Sequence, residues 1–101
     1  MSREREVWKF EVPPGEVHGH GSTVSMPSGA QIISVGTQST IVFIWAIVDP
    51  EAQLTERRLG YFPTGSPLPA WDYVGTAHVL NPDRPALGSW LVWHVFEEVL
   101  F

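Results

Sequence analysis

Hydrophobic and polar residues alternate along Val7–Val12 ("VWKFEV"), which is the pattern of a strand with one buried face. Trp8, Phe10 and Val12 share the face that we expect to be buried. Similar short segments, separated by Gly- and Pro-rich stretches, follow along the chain. They predict strands at 22–27, 31–36, 41–48, 55–63, 71–80 and 90–96. Short strands punctuated by turns predict an all-β fold, either an antiparallel sandwich or a small, partly open barrel of about six to seven strands.

The turn residues refine this picture. "PPG" at 13–15 stops the first strand, and Pro27–Ala30 has the composition of a β-turn. Asp49 and Pro50 end the strand at 41–48, with at most one helical turn after them. Gly75, inside the strand at 71–80, indicates a bulge or a close backbone approach.

Two of the predicted strands are apolar on both faces: Ile41–Val48 and Trp90–Phe96. Three interpretations compete for the second face. Long Pro-rich loops cover it, it is buried between subunits, or the segments are helices; their β-branched and aromatic content argues against helices. Because large exposed apolar patches are rare in monomers, we expect a homo-oligomer, with Trp45, Trp93 and His94 as candidate interface residues.

Composition narrows the class of protein. The 101 residues are enough for one domain, 1–101, and contain no cysteine, so disulfides and thiolate metal sites are excluded. Six Lys and Arg against eleven Asp and Glu give a net charge of −5, which argues against non-specific nucleic-acid binding. The charged N-terminal segment has no apolar signal-peptide core, and we expect no membrane role and a cytoplasmic location.

Two regions are candidates for ligand binding. Arg57 and Arg58 are adjacent, so a strand would send them to opposite faces, where one of them grips an anion; the alternative is a solvated pair of edge charges. The second region is the loop "PTGSPLPAWDY". Thr64 and Ser66 would bind an anion there, and Trp71 and Tyr73 would stack on a planar ring; the alternative is a purely structural loop.

"HGHG" places His18 and His20 two residues apart, a spacing that suits metal binding on a strand. A third ligand would have to come from His78, His94, Glu97 or Glu98. A solvated loop is the simpler interpretation, and His94 itself fits a histidine at the edge of the core. The chain has no G-x-S-x-G elbow and no phosphate-binding G-K-[ST] motif. We therefore expect no catalytic residues, no metal and no cofactor.

Three segments, "IVFIWAIVDPEA", "YFPTGSPLPAWDYVGTAHV" and "LVWHVFEE", together with "VWKFEV" and "MPSGAQIISVG", resemble a family of small uncharacterised proteins of bacteriophages and bacteria, a domain of unknown function. The resemblance spans about Val7 to Glu97. It assigns no activity to any residue, and it implies a phage or prophage source.

The predicted function is that of a non-catalytic phage accessory protein in the host cytoplasm, which binds a host protein or sequesters a small ligand, as in immune evasion. One alternative is a structural or decoration module of the virion. Another is a metal-dependent β-barrel enzyme that uses His18 and His20.

Overall fold

The computed structural model describes residues 4–15, 23–81, 83 and 90–99. Within these ranges the chain forms seven strands and no helix, which confirms the all-β prediction. The strands are β1 (Glu6–Glu11), β2 (Thr23–Pro27), β3 (Gln31–Gln38), β4 (Ile41–Val48), β5 (Leu54–Pro63), β6 (Asp72–Leu80) and β7 (Trp90–Glu97). His18, His20 and most of residues 81–89, between β6 and β7, lie outside the described residues.

The strands form two antiparallel sheets. A three-stranded sheet has the order β1-β4-β3, and a four-stranded sheet has the order β2-β5-β7-β6. The sheets approach each other along β3 and β6, where the Thr37 hydroxyl donates to the His78 carbonyl over 3.1 Å. The fold is therefore a sandwich whose sheets meet along one edge.

At another edge the chain crosses from one sheet to the other just after β1. The Val12 amide still donates to the Val42 carbonyl of β4, at 2.9 Å. Three residues later, the Gly15 amide donates to the Tyr61 carbonyl of β5, also at 2.9 Å, and the Tyr61 amide donates to Pro13. The "PPG" segment thus ends β1, as predicted, and also adds a short parallel bridge to the second sheet.

The crossing depends on two glycines that touch. A Cβ built on Gly60 would lie 2.5 Å from the Cα of Gly15, and a Cβ on Gly15 would lie 2.4 Å from the ring of Phe62. Both distances are below van der Waals contact, so only residues without a side chain fit. This absence of side chains lets Phe62 be 99% buried on the outer side of the four-stranded sheet.

The core lies between the sheets, and β4 supplies its centre. Val42, Ile44, Ala46 and Val48 are all at most 2% exposed. The partly buried residues packed against this cluster come from both sheets: Trp8, Phe10, Ile32, Val35, Tyr61, Val74 and Trp93. The predicted inward face of β1 is confirmed.

The two strands that are apolar on both faces are indeed strands, so the helical interpretation is wrong. On β7, Phe96 is covered by aromatic neighbours: it packs edge-on against Phe62 at 5.9 Å and Tyr73 at 5.7 Å, and Phe62 in turn contacts Trp71 of the preceding loop. Phe62 and Tyr73 belong to the neighbouring strands β5 and β6, so side chains of the same sheet flank Phe96, and loop coverage of β7 stays a prediction. No comparable cover lies over the outer face of β4 in the described part of the chain.

The predicted turns are also confirmed. Ala30 donates to Pro27 across a turn in which Gly29 has a φ of 79°. Asp49 accepts from the Glu51 amide, and a single hydrogen-bonded turn follows β4. The register shifts between Tyr73 and Gly75, which is the predicted bulge.

We expect Gly60→Ala to destabilise the protein by about 1–3 kcal/mol, because the new methyl group must displace the backbone of Gly15. Urea unfolding followed by tryptophan fluorescence measures the change. Gly36→Ala is the matched control: its Cβ would meet only the ring of Trp45, at 3.2 Å, on an accessible face. An unchanged midpoint for Gly60→Ala would show that the glycine contact does not constrain the crossing.

Candidate functional site

A chain of hydrogen bonds runs across the side of the four-stranded sheet that faces away from the core. The Tyr73 hydroxyl lies 2.6 Å from Thr76 Oγ1, and Thr76 Oγ1 lies 3.1 Å from His94 Nδ1. On the other side of the ring, His94 Nε2 lies 2.9 Å from Thr64 Oγ1. We call these four residues the hydroxyl–imidazole chain.

The strand register builds this chain. His94 on β7 pairs with Thr76 on β6 and with Phe62 on β5, and Thr64 follows directly after β5. Residues that lie 30 and 18 positions before His94 are thereby brought to the two nitrogens of its ring. The sequence pattern gives no reason to single out Thr76, because its role depends on this register alone.

Both ring nitrogens of His94 are satisfied by hydroxyl groups, which donate or accept by rotation. The neutral ring therefore fits in either tautomer, with the chain polarised in one direction or the other. Neither partner is charged, so the arrangement lacks the carboxylate that orients the base in a hydrolytic triad. The geometry holds the ring in place and leaves Thr64 as the end of the chain.

The remaining predicted loop residues have structural contacts. The Ser66 amide closes a turn on the Pro63 carbonyl, with Gly65 at a φ of 89°, and the Ser66 hydroxyl donates to the Pro67 carbonyl. Trp71 packs edge-on against Phe62 at 6.1 Å. Thr64 and Tyr73 are therefore the loop residues that the structure brings together with His94.

Thr64 also borders an open cleft of about 230 Å³ at the start of β7. The cleft is lined by Pro63, Thr64, Trp90, Leu91, Val92 and Trp93. Trp90 is 59% exposed, whereas Trp93 packs on Tyr61 at 4.9 Å at the edge of the core. The cleft thus combines an exposed indole with one hydroxyl of the hydroxyl–imidazole chain.

Arg57 points to the core side of its strand, where its donors are already engaged. Its Nε and Nη2 atoms donate to the two carboxylate oxygens of Glu97 at 2.5 and 2.8 Å, and Nη1 donates to the Ala30 carbonyl at 2.6 Å. The hydrogen bonds to Glu97 raise the pKa of Arg57, against the desolvation that lowers it. Arg57 therefore links β5, β7 and the turn before β3.

Arg58 points the other way, as a strand requires, and lies 3.3 Å from Glu98. Near these residues is a second open cleft, of about 310 Å³, lined by Arg57, Asp72, Glu97, Glu98 and Val99. It carries three carboxylates against one guanidinium. An anion such as phosphate would be repelled there.

The outer face of the three-stranded sheet is apolar along its centre. Ile41, Phe43, Trp45 and Ile47 of β4 point away from the core, and Val7 of β1 lies beside them with 57% of its surface exposed. Phe43 and Trp45 contact each other, with ring centroids 6.2 Å apart. We call this surface the outer face.

One charged side chain covers part of this surface. Lys9 of β1 places its ammonium 4.6 Å from the centre of the Phe43 ring and donates to Gln38 Oε1 of β3 at 2.7 Å. Its aliphatic stem therefore crosses β4, shielding Phe43 while the charge stays in water. Trp45 packs on Gly36, where an added Cβ would lie 3.2 Å from its ring.

The predicted interface residues thus occupy three environments. Trp45 lies on the outer face, Trp93 at the core edge and His94 in the hydroxyl–imidazole chain. Among the described residues no group of three His, Cys, Asp or Glu side chains is arranged to hold a metal ion. His18 and His20 lie outside the described residues, so their metal-binding role stays a prediction.

Comparison with known proteins adds the family. The model of a family described as a domain of unknown function (DUF7352) matches residues 3–100. The chain belongs to this family. No curated protein and no solved structure matches the chain. In the described residues, no helix is long and apolar enough to cross a membrane.

Glu97→Gln tests whether Arg57 is a structural residue. We expect the variant to lose about 1.5–3 kcal/mol of unfolding free energy, because it removes the charged partner of a half-buried guanidinium. Since the pKa of Arg57 is raised, this stabilisation is present at neutral pH and would be lost only as the pH rises through the raised value.

Glu98→Gln is the control, because the Arg58–Glu98 pair is more exposed and should contribute less than about 1 kcal/mol. Chemical denaturation of both variants at neutral pH measures the difference. Equal losses would contradict a specific structural role for the Arg57–Glu97 pair.

Proposed function

We propose that this protein is a non-catalytic binding protein that docks a protein partner through its outer face. The observation behind this proposal is that the Phe43 and Trp45 side chains lie on the solvent side of β4. These are the largest side chains of the central strand, and they point away from the core.

Burial in a core is worth more for an aromatic ring than for a smaller side chain. In β4, however, Val42 and Ala46 are in the core while Phe43 and Trp45 are half-exposed. Exposed Val7 and Ile41 extend the apolar surface to both sides. An apolar surface of this kind, bordered by polar residues, is typical of protein–protein contacts.

The charges on the outer face favour a protein over a nucleic acid. Within the paired register, the charged residues on this face are Lys9 and Glu11, which balance each other. The whole chain carries −5. A phosphate backbone would therefore meet no basic patch here, and apolar contact would supply most of the binding free energy.

For its source and role, we propose a phage or prophage protein that acts in the host cytoplasm by binding a host protein. The sequence resemblance to phage proteins supports the source, and the outer face supports the binding. A virion decoration module is the alternative, because all-β modules with an apolar face also serve there. Mass spectrometry of purified virions separates the two: detection of the chain in virions would favour decoration.

A second candidate function is the binding of a small polar ligand in the cleft beside Thr64. The observation that favours it is the end of the hydroxyl–imidazole chain at this cleft, next to the exposed indole of Trp90. A hydroxyl and an aromatic face together suit a planar, hydrogen-bonding molecule.

To test docking, a photo-crosslinking benzophenone residue is placed at position 45, and the protein is irradiated in the cells that produce it. We expect covalent protein adducts, because position 45 lies at the centre of the outer face. The same residue at position 25, an exposed site on the other sheet, is the control and should give none. Absence of adducts from position 45, in a variant that melts like the wild type, would refute docking through this face.

Native mass spectrometry of the freshly purified protein tests the ligand hypothesis. We expect a mass above that of the bare chain, and we expect Thr64→Val to lose the excess, because it removes the hydroxyl at the cleft. Ser66→Ala is the control, since the Ser66 hydroxyl donates to Pro67 instead. Bare-chain mass for the wild type would contradict ligand binding in this cleft.

A further inference from the structure

We infer that the partner on the outer face is a second copy of this chain, stacked sheet to sheet across a two-fold axis. The inference rests on the proposed docking function and adds the identity of the partner and the register of the contact. It comes from the order of side chains on the outer face, which is complementary to itself.

The antiparallel register places Lys9 beside Trp45 and Glu11 beside Phe43, in two neighbouring rows across the sheet. A two-fold axis in the interface, perpendicular to the strands and level with Ile44, exchanges these two rows. Phe43 then stacks on Trp45 of the second copy, and the reverse contact forms by symmetry. Sheets packed face to face in this aligned manner are common in proteins.

The charges on β1 favour an axis level with Ile44 over an axis one residue away in either direction. With the axis level with Ile44, Lys9 faces Glu11 of the second copy, and the pair occurs twice. An axis level with Phe43 would set Glu11 against Glu11, and one level with Trp45 would set Lys9 against Lys9. Like charges in contact are costly, so a single register satisfies both the apolar and the charged rows.

The remaining rows agree with the same axis. Ile41 would meet Ile47 of the second copy, so that apolar residues face apolar residues at both ends of β4. On β3, Gln38 would meet Gln31, and Gly36 would meet Ser34, as the pairing of β3 with β4 requires. The two glutamine amides can form hydrogen bonds with each other, and the small Gly36 and Ser34 let the sheets approach closely. No charge is left unpaired in these rows.

The size of the face predicts a weak dimer. Three strands and seven residues of β4 span about 14 by 24 Å, which implies roughly 700 Å² of sheet area covered on the two copies together. Stable interfaces bury about 1,200 Å² or more. Lys9 must also leave its contacts with Phe43 and Gln38 to reach Glu11. We therefore expect a dissociation constant in the micromolar range.

Analytical ultracentrifugation of charge variants tests the register. Lys9→Glu and Glu11→Lys should each weaken the dimer about tenfold, because each replaces two attractive contacts by two repulsive ones. The double variant Lys9→Glu/Glu11→Lys should recover the wild-type dissociation constant. Glu56→Lys, at an exposed site on β5, changes the net charge as Glu11→Lys does and should leave the dimer unchanged.

Three results would overturn the inference: a wild-type monomer at several hundred micromolar, single variants that dimerise like the wild type, or a folded double variant that does not recover. Recovery in the double variant excludes unfolding as the cause of the weaker dimer in the single variants. Thermal melts of the wild type and the four variants check folding directly.

The photo-crosslinked product from position 45 separates this inference from the proposed function. A product of twice the chain mass supports docking through the outer face and self-association, and it counts against a host protein on that face. A product that contains a different protein keeps the docking function and overturns self-association. Absence of any product refutes both.

Discussion

The division of the β4 side chains between two faces is the constraint on which the rest of the structure depends. Val42 and Ala46 occupy the space between the sheets, which Trp8 and Trp93 fill from either side. Trp45 alternates with these residues along β4, so it lies on the opposite face. The core is thus completed by aromatic residues from neighbouring strands, and the central strand is left with its largest side chains on the surface. A fold with this distribution is stable and still has an apolar face to cover.

The fold class, the strands and most turns could be predicted from the sequence, because alternation and Gly or Pro positions are local signals. Which face of β4 lies in the core could not be predicted. A segment that is apolar at every position has no periodic signal, and hydrophobicity alone would have placed Phe43 and Trp45 in the core. Pairing with β1 decides which face of β4 is buried, since Trp8 and Phe10 lie opposite Ala46 and Ile44. That information is long-range.

The same limit applies to the candidate site. Arg57 and Arg58 were correctly expected on opposite faces, because a strand alternates, but the Glu97 carboxylate that engages Arg57 lies 40 residues away. Thr64 and His94 stand 30 residues apart, and only the order β5-β7-β6 places them side by side. Residue type alone indicates which side chains can donate, accept or carry charge. Strand order decides which of them are in contact, and strand order cannot be predicted from any short segment.

Lys9 connects the two properties of the outer face. In the single chain, the Lys9 stem lies over Phe43 and its ammonium donates to Gln38, so the Phe43 ring is partly shielded from water. This cover is worth little, about 0.5–1 kcal/mol for an exposed cation–π contact, and is therefore easily given up. A partner that offers a carboxylate near Lys9 and an aromatic ring near Phe43 replaces everything the lysine loses. Trp45 with Glu11 is such a combination, and it stands on the same face in the neighbouring rows. Under the proposed self-association, Lys9 would shield part of the apolar face in the isolated chain and would be released when a charge-matched copy binds.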